Sequence, residues 1–323
     1  MTGQFIDLHC DTLDRIARSN GVAGLRDGSH DINLLKMRQA DGMLQFFAIW
    51  TRTHKTLEKT GLTLPPYEYV QWVYSCYQKE MAANADMIAP AYSYQDVLDN
   101  REKGLLSSML SMEDAVALEG KLERVDEFYR MGVRLMSATW NWENSLGYPQ
   151  SNDPEIMKRG LKDFGIQAIR RMEELGIIID VSHLSDGGFW DVAKHTKAPF
   201  VASHSNSRVL CDESRNLTDD MLRTIGDRGG VCGLNFYAEF LNKGTKYASV
   251  EDLVRHARYI ANMAGIDAVA LGSDFDGIDT ELEFRDYAGM PVLLDGLCRA
   301  FTESEVEKIC WGNTLRVIRE VVK

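Results

Sequence analysis

The alternation of short apolar segments with longer amphipathic ones constrains the fold of this 323-residue chain more than any other feature. Eight apolar segments are predicted as strands, at residues 4–8, 43–50, 105–110, 133–138, 177–181, 200–202, 230–235 and 268–272. Segments with apolar side chains at helical spacing lie between many of them, at residues 67–87, 123–131, 156–175, 218–225 and 250–263. Apolar strands separated by helices are typical of a parallel sheet that is buried on both faces.

Eight strands in a chain of this length predict an α/β fold, a (β/α)8 barrel, with residues 1–323 forming one domain. The alternative is a doubly wound open sheet, which usually carries a glycine-rich phosphate loop after its first strand. Here the first strand is followed by HCDTLD, which contains no glycine. The segment 50–67 is predicted as a long loop, and a final helix is predicted over 303–322 with Thr302 as its N-cap.

The charge balance and the apolar runs exclude two classes of partner. Acidic residues outnumber basic ones by 48 to 36, so the net charge of −12 disfavours binding to nucleic acid or to anionic lipid. No apolar run approaches the ~20 residues of a membrane-spanning helix, and the N-terminus lacks the pattern of a signal peptide. The six cysteines form no CxxC pair, as expected of reduced thiols. We therefore expect a cytoplasmic protein with no nucleic-acid or membrane partner.

Histidines and carboxylates cluster at the ends of the predicted strands. In a barrel of this type, the chemistry lies just beyond the C-terminal ends of the strands. The residues found there are His9 and Asp11 after the first strand, Glu113 after the third, His183 after the fifth, His204 after the sixth, and Asp274 and Asp276 after the eighth. The other four histidines fall in predicted loops or helices and are expected at the surface or in packing roles.

Taken singly, these residues have ordinary structural interpretations. His9 and Asp11 would suit a hydrogen-bonded pair at a strand end, and Glu113 would suit the positive end of a helix dipole. Asp274 and Asp276 would suit a turn beside a glycine. The alternatives stay open for each residue considered alone.

The cluster as a whole indicates a metal site. Burying several imidazoles and carboxylates at one barrel mouth is costly unless something compensates for their lost hydration, and divalent cations do so. Zn²⁺ accepts both ligand types. His9 and Asp11 project to the same side of a strand and would bind one cation, while His183 and His204 would bind a second. A carboxylate from Glu113 would join the two cations around a shared hydroxide.

The order and spacing of seven motifs resemble those of a known enzyme family. The motifs are HCD, SMED, DVSH, SHSN, SRN, GSDFDG and GNTLRV, and they extend over residues 5–317. They resemble the membrane dipeptidase (renal dipeptidase) family, peptidase family M19, of the amidohydrolase-like superfamily. The resemblance implies a (β/α)8 barrel with two zinc ions, bridged by a carboxylate and a hydroxide, that hydrolyses dipeptides. It also implies tolerance of a D-residue at the C-terminal position and a homodimeric assembly.

The resemblance assigns a role to each matching residue. It implies zinc ligation by His9, Asp11, Glu113, His183 and His204. It further implies that Asp274 is the catalytic aspartate, which moves a proton from the nucleophile to the leaving amine, and that Arg215 binds the substrate carboxylate. Glu113 would take part in catalysis as the bridging ligand.

The residues after the fourth strand differ from those of mammalian family members. Those members have a histidine that contacts the substrate carbonyl, whereas Trp140 followed by Asn141 stands here. The indole N–H and the amide are alternative hydrogen-bond donors. Together with Tyr237 they would shape the substrate pocket. A deacylase of N-acyl-D-amino acids with the same metals is an alternative to a dipeptidase. A non-enzymatic metal-binding barrel is a second alternative, which the sequence does not support because no ligand position is lost.

Overall fold

The computed structural model describes residues 4–19, 22–51 and 64–323. The strands are β1 (Phe5–Asp7), β2 (Gly42–Trp50), β3 (Ile88–Pro90), β4 (Leu106–Glu113), β5 (Val133–Ser137), β6 (Ile178–Asp180), β7 (Val201–Ala202), β8 (Val231–Leu234), β9 (Tyr247–Ala248), β10 (Val269–Leu271) and β11 (Glu281–Leu282). Eight of these pair in parallel in the order β1-β2-β4-β5-β6-β7-β8-β10, and β10 pairs again with β1. The sheet therefore closes into the predicted (β/α)8 barrel, which excludes the open-sheet alternative.

Each of the eight predicted strands corresponds to one barrel strand. Three further short strands were not predicted. Strand β3 pairs with residues 106–108 at the start of β4, and β9 and β11 form a separate two-stranded sheet. Segments of two or three residues are too short to show the period-two pattern on which strand prediction depends.

Helices surround the barrel. They are α1 (Thr12–Arg18), α2 (Leu34–Gln39), α3 (Pro66–Ala83), α4 (Tyr94–Glu102), α5 (Glu123–Arg130), α6 (Pro154–Met157), α7 (Asp163–Leu175), α8 (Asp186–His195), α9 (Asp219–Asp227), α10 (Ala238–Leu241), α11 (Val250–Ala264), α12 (Met290–Ala300), α13 (Glu303–Glu307) and α14 (Asn313–Val321). Residues 156–175 were predicted as one helix, whereas the structure divides this region between α6 and α7.

The predicted final helix and the predicted loop can also be compared with the structure. Thr302 caps α13 through a capping box with Glu305, which confirms the predicted N-cap. A π-helical turn, Lys308–Gly312, separates α13 from α14. The predicted loop over 50–67 falls largely on residues 52–63, which lie outside the described residues.

The core has two layers. One buried cluster draws side chains from all eight barrel strands, among them Ile6, Phe46 and Met109. The larger cluster lies between the strands and the helices and includes Phe47 and Ile49 of β2. Successive residues of a strand face opposite sides of the sheet. Strand β2 is buried along most of its length and therefore contributes side chains to both layers. In the described part of the chain, no helix has both the length and the apolar character needed to cross a membrane.

Candidate metal centre and active site

The barrel brings the predicted metal ligands together at one rim. His9 follows β1, Glu113 ends β4, His183 follows β6 and His204 follows β7. All four residues and Asp11 are buried. The C-terminal ends of parallel strands meet at the same end of a barrel, which explains how residues so far apart in sequence converge.

One half of the cluster is formed by two imidazoles and one carboxylate oxygen. Nε2 of His183 lies 2.9 Å from Oε1 of Glu113 and 3.0 Å from Nε2 of His204. Nε2 of His204 lies 3.4 Å from the same Glu113 oxygen. Three potential ligand atoms therefore face a common point.

The other half is centred on His9. Its Nε2 lies 3.5 Å from Oδ2 of Asp11, 3.7 Å from Oε2 of Glu113 and 3.8 Å from Oδ1 of Asp274. The rings of His9 and His204 stack with their centroids 3.9 Å apart. Glu113 thus directs one oxygen to each half of the cluster.

Burial alters the protonation of this cluster. Burial lowers the pKa of His183 and of His204 well below the usual value, so both imidazoles are neutral near pH 7. Burial raises the pKa of Glu113 well above its usual value and that of Asp274 to about 6. Burial opposes protonation of His9, but the carboxylates around it prevail and raise its pKa to about 10. Without a cation, the carboxyls of Glu113 and Asp274 are therefore harder to ionise and His9 is easier to protonate than in water, and a bound cation would favour the ionised carboxylates and the neutral imidazole.

The residues fit a metal site. Nδ1 of His183 lies 3.1 Å from the amide oxygen of Asn141, an acceptor that favours a proton on Nδ1 and would leave the Nε2 lone pair for a cation. Nε2 of His9 and Oδ1 of Asp11 are buried and have no hydrogen-bond partner among the described residues. Two groups have ligand atoms within 4.8 Å of one another: His9 with Glu113 and His204, and His9 with Asp11 and Asp274.

The backbone at the site is unusual at two residues. His183 and Asp274 are left-handed, with φ angles of 66° and 63°. Non-glycine residues in this region are uncommon and cluster at functional sites.

The glycine that ends GSDFDG has a steric role, because a Cβ atom on Gly277 would lie 2.1 Å from Oδ2 of Asp11 and 2.6 Å from Oδ1 of Asp274.

A cavity of about 490 Å³ opens above this cluster. Its walls include four aromatic residues, Trp50, Trp140, Tyr237 and Phe240, and several charged ones, Asp14, Arg15, Arg18 and Asp279. Glu113, His183 and Asp274 lie among the lining residues, so the cavity gives access to the cluster. It has room for a small ligand.

The predicted substrate-binding residues occupy different places. Trp140 and Tyr237 line the cavity, and the Trp140 ring packs edge-on against Trp50 with centroids 4.8 Å apart. Asn141 also lines the cavity, but its amide oxygen is hydrogen-bonded to His183. Arg215 is only 5% exposed and lies outside the set of described residues that line the cavity.

The Arg215 guanidinium packs against the Phe240 ring. The guanidinium donates to the Ser205 hydroxyl and to the His204 carbonyl, and lies 5.4 Å from the Phe240 ring. Its Nε is buried without a hydrogen-bond partner among the described residues. Asp276 accepts a 2.6 Å hydrogen bond from Thr12 and so fastens α1 to the rim.

Sequence reasoning assigned no role to several residues at the site. Asn235 donates a 2.9 Å hydrogen bond from Nδ2 to Oδ2 of Asp274 and thereby orients that carboxylate. Its signal was its position at the end of a predicted strand. Trp50 also ends a predicted strand. Arg15, Arg18 and Phe240 lie in helices, and no sequence pattern marks them as site residues.

Comparison with known proteins agrees with this geometry. Residues 2–323 match the family model described as membrane dipeptidase (peptidase family M19). An uncharacterised Klebsiella pneumoniae protein from the 5′ region of pqqA is 38% identical over 251 residues, covering 75% of this chain and 92% of that protein. An uncharacterised dipeptidase of Schizosaccharomyces pombe is 33% identical over 225 residues, covering 67% of this chain and 53% of its own length. The chain thus spans about half of that relative.

Two solved structures share the fold over nearly the whole chain. The metallopeptidase dipeptidase AC of family M19 is 27% identical, with a TM-score of 0.90, covering 100% of this chain and 99% of its own. A Rhodobacter sphaeroides metallopeptidase, solved with a phosphinate mimic of the dipeptide L-Ala-D-Ala, is 24% identical, with a TM-score of 0.89 and coverage of 98% and 99%. The family model, the relatives and the fold agree, and the chain belongs to peptidase family M19, the membrane dipeptidase family, as its motifs predicted.

Proposed function

We propose that the protein hydrolyses dipeptides with two zinc ions bound at the rim of the barrel. His9 and Asp11 would hold one ion, His183 and His204 would hold the other, and Glu113 would direct one carboxylate oxygen to each of these two pairs. The observation that carries this proposal is the placement of Glu113, whose Oε1 faces His183 and His204 while its Oε2 faces His9. When bound, zinc ions polarise the scissile carbonyl and increase the acidity of water.

Asp274 is the proton carrier in this proposal. Its carboxylate is buried beside His9 and is oriented by Asn235. Burial raises the pKa of Asp274 to about 6 in the metal-free site, so burial makes this carboxylate a stronger base than an exposed aspartate. It takes the proton from the attacking water and transfers it to the leaving amine. Because Asp274 also lies within ligand distance of His9 and Asp11, its substitution should be followed by metal content as well as by turnover.

Arg215 binds the substrate carboxylate in this proposal. A guanidinium pairs with a carboxylate through two parallel hydrogen bonds. The buried, unpartnered Nε supports a binding role, because such a donor is costly without an acceptor. The Phe240 ring, which lines the cavity, lies 5.4 Å from the Arg215 guanidinium, so the guanidinium is close to the cavity wall. A carboxylate clamp near the cluster limits the substrate to two residues.

The cavity supports a small peptide as the substrate. Its volume of about 490 Å³ suits a dipeptide, and Trp140 and Tyr237 supply walls for the side chains. The ligand of the R. sphaeroides relative indicates L-Ala-D-Ala as a first substrate to test.

A hydrolysis screen with metal analysis of the same sample tests the proposal. We expect turnover of L-Ala-L-Ala and L-Ala-D-Ala, no turnover of tri-alanine, and two zinc ions per chain. Hydrolysis of N-acetyl-D-alanine in place of the dipeptides would identify the protein as a deacylase instead. His183→Ala should abolish turnover while leaving the circular dichroism spectrum unchanged; full turnover in this variant would contradict the ligand assignment.

A further inference from the structure

A buried carboxylate and a hydroxyl form a hydrogen-bonded chain that ends at Nδ1 of His204. Asp180 ends β6 and Ser203 directly follows β7, and both are almost fully buried. The Ser203 hydroxyl oxygen lies 2.6 Å from Oδ2 of Asp180 and 2.7 Å from Nδ1 of His204. Its third contact, with the Ser182 hydroxyl, is longer at 3.4 Å.

The hydrogen-bond donors around Asp180 indicate which atoms donate and which accept in this hydrogen-bonded chain. Oδ1 of Asp180 accepts backbone N–H groups from Ser182 at 2.9 Å and from Ser203 at 2.8 Å. With Asp180 acting as the acceptor, the single hydroxyl proton of Ser203 points to Oδ2. The Ser203 oxygen must then accept from Nδ1–H of His204.

This direction fixes the tautomer of His204. A neutral imidazole carries one proton, so a proton on Nδ1 leaves a lone pair on Nε2. Nε2 is the atom that lies beside Glu113 and His183. We propose that Asp180 is a positioning residue that acts through Ser203 to keep His204 in the tautomer able to bind a cation at Nε2.

This inference rests on the proposed metal function, and a second pair in the barrel provides a matched control. The Ser273 hydroxyl donates a 2.6 Å hydrogen bond to the buried carboxylate of Asp7, the same contact that Ser203 makes with Asp180. The other contacts of the Ser273 hydroxyl are with the His9 carbonyl and the Phe275 N–H. Within the described chain it therefore stabilises backbone and contacts no imidazole nitrogen.

Asp180→Asn should reverse the donor and acceptor roles in both hydrogen bonds of the Ser203 hydroxyl. The amide oxygen keeps the two backbone hydrogen bonds, which places the amide NH₂ against the Ser203 hydroxyl. Ser203 then donates to Nδ1 of His204, and the imidazole proton moves to Nε2, where it blocks cation binding. Loss of an outer hydrogen-bond partner of a ligand histidine typically weakens metal binding by about 10- to 100-fold.

The experiment measures zinc affinity of the full-length chain by competition with a chromophoric chelator. ¹⁵N NMR of the histidine side chains reports the His204 tautomer in chelator-treated protein. We expect Asp180→Asn and Ser203→Ala to weaken one of the two zinc sites by about 10- to 100-fold. Ser203→Thr, which keeps the hydroxyl, and Ser273→Ala should both retain the wild-type affinity. In Asp180→Asn the NMR signals should show the proton moving from Nδ1 to Nε2.

Wild-type zinc affinity in both Asp180→Asn and Ser203→Ala would overturn the inference, and so would an equal loss in Ser273→Ala. A proton on Nε2 of His204 in the wild-type chain would also overturn it. If Asp180→Asn fails to fold, Ser203→Ala and Ser203→Thr decide the question, because both keep the Asp180 charge. The tautomer measurement needs neither bound metal nor turnover, so its outcome is separate from failure of the wild-type chain to hydrolyse dipeptides.

Discussion

His183 and His204 direct their Nε2 atoms at each other across 3.0 Å, with Oε1 of Glu113 beside both. The Nδ1 atoms of both rings contact other side chains, those of Asn141 and Ser203. Two imidazole lone pairs at this distance repel each other, and a cation that both can bind removes the repulsion. This relationship makes the apo form of the site electrostatically unfavourable and is the basis of the first prediction.

Removing metal ions should lower the stability of the protein as well as its activity. A ligand that binds only the folded chain adds about 2.7 kcal/mol of unfolding free energy at a concentration 100-fold above its dissociation constant. We expect chelator to abolish dipeptide turnover and to lower the melting temperature, and added Zn²⁺ to restore both. Thermal unfolding followed by circular dichroism measures the shift. A melting temperature that ignores both chelator and zinc would contradict the metal site.

Trp140→Ala should weaken substrate binding more than it slows turnover. The indole forms a wall of the cavity, and losing its contact with a substrate side chain costs about 1–2 kcal/mol, or about 10-fold in KM. Steady-state kinetics with L-Leu-D-Ala would measure this change. Trp190→Ala is the control, because Trp190 is 43% exposed and lies outside the described cavity lining. An equal rise of KM in both variants would exclude a specific role for Trp140.

Arg215→Met should remove selectivity for a free C-terminal carboxylate. The wild-type chain should hydrolyse L-Ala-D-Ala faster than its C-terminal amide, since only the acid pairs with the guanidinium. In the variant, kcat/KM for the acid should fall by about 100-fold, as expected for the loss of a charged hydrogen-bond pair. Kinetics on the two substrates measure the ratio. Selectivity that survives the substitution would place the carboxylate elsewhere.

His256→Gln should make stability less dependent on pH in mildly acidic solution. Burial lowers the pKa of His256 from 6.5 to about 4, so between these values the folded chain binds fewer protons at this residue than the unfolded chain does. Stability is therefore lost as pH falls through this window, by about 3 kcal/mol in total. Glutamine can replace both hydrogen bonds, from the Ser207 N–H and to the Leu241 carbonyl, without titrating.

Urea unfolding of wild type and variant, with zinc saturating at each pH, measures the difference. The unfolding free energy of the wild-type chain should fall more steeply between pH 6.5 and 4 than that of His256→Gln. Parallel curves would show that His256 protonates equally in the folded and unfolded states.

Much of the site followed from chain order alone. His9, Glu113, His183 and His204 each end or follow a predicted strand, and the C-terminal ends of parallel strands share one rim. Asp274 also follows a predicted strand, and the family motifs gave it a role and added Arg215, which has no distinctive local pattern. The residues that line the cavity could not be predicted from chain order, since Arg15 and Arg18 of α1 reach the cavity only because of how that helix packs.

Apolar periodicity and strand direction are local properties, and from them alone the chain predicts the number of barrel strands and the end of the barrel that carries the chemistry. Which atoms meet depends on the folded barrel. Asp180 and Ser203 are 23 residues apart and become partners through the pairing of β6 with β7. The contact of Arg215 with the Phe240 ring likewise depends on packing between distant segments. Such contacts depend on register and side-chain direction, which no stretch of sequence specifies without its neighbours in space.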